Sequence, residues 1–169
     1  GSTAVGMSLA QAAAPQLKRV SMELGGHAPF IVFDDADPVH AAKGVSLVKF
    51  LNTGQACISP NRIFVQRKIL DSFLNTLQGR IEKLHAGDGM EPSTTIGPLI
   101  NHAAIEKIDR QVQDAVAQGA SLHSGGRRLT EDGLEKGCFY APTLLSNVSS
   151  DMLIYREETF GPVAAVIAF

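Results

Sequence analysis

The chain has 169 residues, 44% of them hydrophobic, and a formal charge of −2 from 15 Lys and Arg against 17 Asp and Glu. That length and apolar content suffice for one buried core, so a single soluble globular unit is expected. Without a long run of either sign there is no electrostatic footprint for nucleic acid or an anionic membrane, and the longest apolar runs fall far short of the roughly 20 residues that span a bilayer.

GSTAVG at 1–6 opens a helix whose backbone N–H groups are placed to receive phosphate. GSTAVGMSLAQAAAP has no basic n-region, so it is not expected to be a signal peptide. After Pro15, LKRVSMEL (17–24) predicts a short strand entering the Gly25-Gly26 turn, and PFIVF (29–33) a strand of the continuously apolar, buried kind. Asp37 then supplies an N-cap and Pro38 the first position of a helix running to about Asn52, where Thr53-Gly54 breaks it. RIFVQ (62–66) alternates like a strand. ILDSFLNTLQGRIEKL (69–84) places Leu70, Phe73, Leu74, Leu77, Ile81 and Leu84 on one helical face. A long loop rich in Gly, Pro and Thr leads into a second amphipathic helix through 101–120, in which Glu106 and Arg110 stand in the favourable i,i+4 order and Gly119 is the C-cap. SLHSGG, GCFYAPTLLSNV and GPVAAVIAF read as strands separated by turns. Strands alternating with helices indicate an α/β layered fold with a largely parallel sheet.

The two cysteines, Cys57 and Cys138, make no disulfide framework, so free thiols in a reducing, cytoplasmic setting are expected. The five histidines show no pairing at metal-ligand spacing, and no metal site is expected. Cys57 lies just past a helix end in NTGQACIS, flanked by Gln55 and Ser59 instead of an apolar stripe. A buried structural thiol and a nucleophile both fit that setting. Glu23 stands two residues before the first glycine of a Gly-Gly turn, where a carboxylate could act as a base or simply be solvated. Glu157 and Glu158 adjoin Thr159 and Phe160, and one of such a vicinal pair is expected to be ion-paired. Asp34, Asp35 and Asp37 are explained more simply by helix capping than by a cation.

Taken together, GSTAVG, MELGGHAPFIVFDDAD, NTGQACIS and EETFGPV resemble four segments of the aldehyde dehydrogenase superfamily, in the same order and across essentially the whole chain. Glu23 and Cys57 are 34 positions apart (57 − 23), a separation that fits the family. The resemblance implies that Cys57 is the nucleophile and Glu23 the general base. It implies that Gly1, Ser2, Leu24, Glu158 and Phe160 bind NAD or NADP, and that Leu51 and Ile58 line the substrate pocket. It further implies that residues 1–24 are the tail of a dinucleotide-binding domain and 25–169 a partial catalytic domain. The small-molecule substrate would be an aldehyde, the parent protein a dimer or tetramer of identical subunits, and the isolated chain inactive.

Within the superfamily, ELGGHAPFIVFDDAD and NRIFVQ look most like succinate-semialdehyde dehydrogenases. Those enzymes tend to carry an arginine six residues before the nucleophile to clamp the substrate carboxylate; Leu51 stands there, and an apolar side chain cannot replace a guanidinium. The resemblance with this departure implies an uncharged or differently anchored aldehyde. A second cysteine found in some of them two residues after the nucleophile is Ser59 here, which excludes a local disulfide. Two other classes share these residues: a thiol redox sensor with Cys138 as resolving partner, and a non-catalytic oligomerisation module.

Overall fold

A computed structural model describes all residues, 1–169. Five strands form one sheet in the order β1 (Pro29–Val32), β2 (Arg62–Val65), β5 (Val163–Ala168), β4 (Thr143–Ser146), β3 (Ser121–Ser124). Every neighbouring pair is parallel except β3 and β4, so the expected largely parallel α/β sheet is present. The helices are α1 (Thr3–Ala13), α2 (Pro38–Lys49), α3 (Leu70–Ile81), α4 (His102–Ala117) and the single turn α5 (Leu153–Arg156).

Period-two alternation divides the interior into two clusters. On β5, Ala164 and Val166 face one side, while Val163 and Ala165 face the other; Leu144 and Leu145 on β4 split in the same way. The first cluster packs α2 and α3 against the sheet through Ala42, Val45, Phe73, Leu74, Leu77 and Ile81. The second packs α4 through Ile105, Ile108, Val112 and Ala115. Central strands buried on both faces read as unbroken apolar runs for this reason.

Asp37 caps α2, its Oδ1 accepting from the Val39 amide at 2.8 Å, with Pro38 at the first helical position as expected. The segment 17–24, by contrast, is not a strand. It runs irregularly with no neighbouring strand to ladder with, and a strand without a partner leaves its backbone groups unpaired. The helix expected to reach Asn52 ends at Lys49, and a 3₁₀ turn over Leu51–Gly54 follows. Asn52 (φ 49°), Thr53 (φ 60°) and Gly54 (φ 74°) all adopt left-handed backbone there. For β-branched Thr53 this conformation is strained, and its buried hydroxyl donates to the Gly97 carbonyl at 3.1 Å, holding it in place. A side chain at Gly54 would collide with the backbone of Gly161, so this glycine lets the turn after α2 lie directly on the loop before β5.

Candidate active site

Three irregular segments meet at one end of the parallel strands: 23–28 before β1, 51–60 before β2 and 157–161 before β5. Between them and the start of α1 lies a cleft of about 640 Å³. Gly1, Ser2, Glu23, Leu24, Cys57, Glu158 and Phe160 all line it, so seven residues singled out in the sequence come together from four segments of chain. Leu51 and Ile58 do not. Both are exposed beside the Cys57 turn, outside the lining of this cleft.

Cys57 is exposed on a turn closed by the Ser59 amide donating to the Ala56 carbonyl at 3.0 Å. Gln55 anchors that turn from within the cleft. Its Nε2 donates to the Pro98 carbonyl at 3.2 Å and its Oε1 accepts from the Ile100 amide at 2.9 Å. Cys138, in contrast, packs against the second cluster, and both thiols are free.

Glu23 is exposed and lines the same cleft. The Gly1 backbone nitrogen donates to its carbonyl at 2.8 Å, joining the start of α1 to the segment that carries the carboxylate. Ser2 is the N-cap of α1, its Oγ accepting from the Val5 amide at 3.3 Å. An acceptor site of its hydroxyl is thus used by the helix, and its O–H and the remaining first-turn amides are left to face an anion.

The vicinal carboxylates divide as expected. Glu157 accepts from Arg110 at 3.4 Å and from Gln111 at 3.3 Å, whereas Glu158 lines the cleft. This takes Arg110 away from the i,i+4 partner expected for it, Glu106, because a contact across the fold is held by both Arg110 and Gln111. Glu158 Oε1 accepts from the Gly26 amide at 3.1 Å. A Cβ at Gly25 would strike the Glu158 carboxylate, so the bare Gly-Gly turn is what admits that side chain.

Behind this wall the polar groups are buried. His27 Nε2 lies 2.6 Å from the Tyr155 carbonyl, so Nε2 carries the proton, and Nδ1 is left buried without a partner. Burial lowers the His27 pKa below its ordinary value, the Tyr155 bond opposes this, and the nearby charges of Arg62 and Lys49 add to the lowering. Lys49 is fully buried at the end of α2, and burial pulls its pKa down to about 7 against the attraction of Glu158.

Two residues not singled out in the sequence also line the cleft, Ala56 and Lys107, the latter from α4. Lys107 lies 50 positions (107 − 57) beyond Cys57 on a helix that reads as an ordinary amphipathic one, so no local pattern marks it. Chemically, the cleft joins a thiol, a carboxylate, a helix N-terminus suited to phosphate and a second carboxylate suited to hydroxyl groups. A dinucleotide fits that set, because the Gly25 cradle leaves Glu158 room and one free oxygen.

The chain is 53% identical over 170 residues to mouse mitochondrial succinate-semialdehyde dehydrogenase, covering 100% of this chain and 32% of that protein. It is 47% identical over 169 residues to a probable NADP(+) succinate-semialdehyde dehydrogenase of Sinorhizobium fredii, covering 34% of it. The crystal structure of succinate-semialdehyde dehydrogenase from Burkholderia pseudomallei superposes on the whole chain with a TM-score of 0.95 at 46% identity, over 34% of that chain. The chain thus spans about a third of the length of the relatives it matches. The model of the aldehyde dehydrogenase family matches residues 1–169, and this chain belongs to that family.

Proposed function

We propose that this chain is the catalytic segment of a longer NAD- or NADP-dependent aldehyde dehydrogenase, which oxidises an aldehyde to a carboxylic acid through a thioester on Cys57. The observation that carries the reading is the meeting of Cys57, Glu23 and Glu158 in one cleft. Cys57 Sγ forms a bond to the aldehyde carbon as the carbonyl electron pair moves onto oxygen, and the Cys57 backbone N–H stabilises that oxyanion. Bound nicotinamide supplies the two-electron hydride acceptor that this chemistry needs. Glu23 then takes a proton from water as the water oxygen attacks the thioester carbon, the C–S bond breaks, and the acid leaves with the thiol restored. Ser2 and the α1 N-terminus hold pyrophosphate, Leu24 and Phe160 flank the nicotinamide, and Glu158 accepts from its ribose. A base such as Glu23 favours water over a thiol as the acyl acceptor.

The relatives' names favour succinate semialdehyde. Leu51, however, brings no cation to the place where a carboxylate clamp would stand, so the substrate is an uncharged aldehyde or one anchored by residues elsewhere in the longer protein. That protein is further proposed to be a homodimer or homotetramer.

The test is formation of reduced nicotinamide by the full-length protein with succinate semialdehyde or a neutral aldehyde. Cys57→Ser should abolish it, and Glu23→Gln should slow thioester hydrolysis by about 10²-fold or more. Residues 1–169 alone should give no signal. Undiminished turnover by a folded Cys57→Ser protein would remove the reading.

A further inference from the structure

The molecule contains one fully buried ammonium, and the reaction outlined above does not use it. Lys49 Nζ donates to Asn61 Oδ1 at 3.1 Å, the one hydrogen bond it makes despite carrying three N–H donors. Asn61 in turn reaches the Gly26 carbonyl through Nδ2 at 3.5 Å, the outer limit of a hydrogen bond. Gly26 donates its amide to Glu158 at 3.1 Å. The Lys49 carbonyl accepts from Ser59 Oγ at 3.2 Å, two residues past Cys57, and the Gly26 backbone packs beside the Cys57 carbonyl. A single side chain therefore connects, in three hydrogen bonds, the end of α2 to the Gly-Gly turn and to the cleft carboxylate.

Burying an ammonium with one neutral acceptor is costly, and an apolar side chain of similar length usually serves a core equally well or better. The ionisable groups that interact with Lys49 are Glu158 from the loop before β5 and His27 from the segment before β1. Only Glu158 is anionic. We propose that Lys49 and Asn61 are a positioning pair, which holds the Gly25-Gly26 turn and the Glu158 carboxylate in register with the Cys57 turn.

The cofactor half of this inference rests on the dehydrogenase reading; the Cys57 half does not. The sign of its pH dependence follows from burial. Below a pKa of about 7, Lys49 is charged and attracts Glu158; as pH rises through that value the charge is lost and the attraction with it. Affinity for the dinucleotide should fall with it.

Two measurements on the full-length protein test the pair: the dissociation constant of the reduced dinucleotide by fluorescence from pH 6 to 9, and the rate at which iodoacetamide alkylates Cys57 without cofactor. Lys49→Met should weaken dinucleotide binding about tenfold at the acid end and remove the break in the pH profile. It should also shift the alkylation rate severalfold. Lys49→Arg, permanently charged, should recover affinity and leave no break. A folded Lys49→Met protein with unchanged affinity, pH profile and alkylation rate would overturn the proposal. Should Lys49→Met not fold, Asn61→Ala, which removes the acceptor but keeps the charge, must shift the alkylation rate; an unchanged rate overturns the pair. A wild-type protein that binds no dinucleotide would sink the dehydrogenase reading instead, and Cys57 alkylation in the same variants would then decide the pair alone.

Discussion

Gly25 is bare because the Glu158 carboxylate occupies the space a side chain would need. Gly25→Ala should therefore push that carboxylate from the Gly26 amide and weaken dinucleotide binding about tenfold, while thermal unfolding changes little because Gly25 is exposed. Titration by the reduced dinucleotide beside a thermal melt checks both; equal affinity would show that Glu158 does not need this position. The Gly-Gly turn was visible in the sequence, and Cys57, Glu23 and Glu158 were marked there by the resemblance of their segments to the aldehyde dehydrogenase superfamily. Lys49 was not. It occupies an unremarkable place in an amphipathic pattern, and only the packing of the loops before β1, β2 and β5 around it makes it a buried cation.

Among the elements, α4 shows how local and tertiary terms divide the work of holding the site. Asn101 caps it, Oδ1 accepting from the Ala104 amide at 2.9 Å, and Asn101→Ala should cost about 1 kcal/mol. Ile108, fully buried in the middle of the same helix, packs against Gly161 beside the Phe160 loop, and Ile108→Ala should cost about 2–5 kcal/mol. Denaturant unfolding of the two variants should therefore rank the core residue well above the cap; the reverse order would mean that α4 is held by its end and not by its buried face. The helix itself was legible from the spacing of Ile105, Ile108, Val112 and Ala115. The sequence reading erred at 17–24, which reads as a strand although no strand of this chain lies beside it to complete its hydrogen bonds. It erred again at Arg110, whose partner is Glu157, in a loop 47 residues away (157 − 110). Periodicity reports which face is buried; it carries no information about what meets that face.

At the scale of the molecule, the two apolar clusters draw on the sheet, α2, α3, α4 and the loops joining them, and α1 belongs to neither. Of the eleven residues of α1 only Gly6 is buried, against Leu24, while Val5, Met7 and Leu9 stand 52%, 70% and 57% exposed. Its sequence is nevertheless apolar enough for a helix packed on both sides. These facts support the proposed boundary, with 1–24 belonging to a dinucleotide-binding domain and 25–169 to the catalytic domain. Apolar surface that no residue of this chain covers contributes nothing to its stability, since the hydrophobic term scales with the area removed from water. Deleting residues 1–24 should therefore leave one cooperative unfolding transition, with a midpoint within about 4 °C of that of the 169-residue chain, the shift produced by roughly 1 kcal/mol in a domain of this size. Circular dichroism melts of the two chains make the comparison. Loss of the cooperative transition would show that α1 and the segment after it are part of the catalytic core, and the boundary at residue 24 would have to be abandoned.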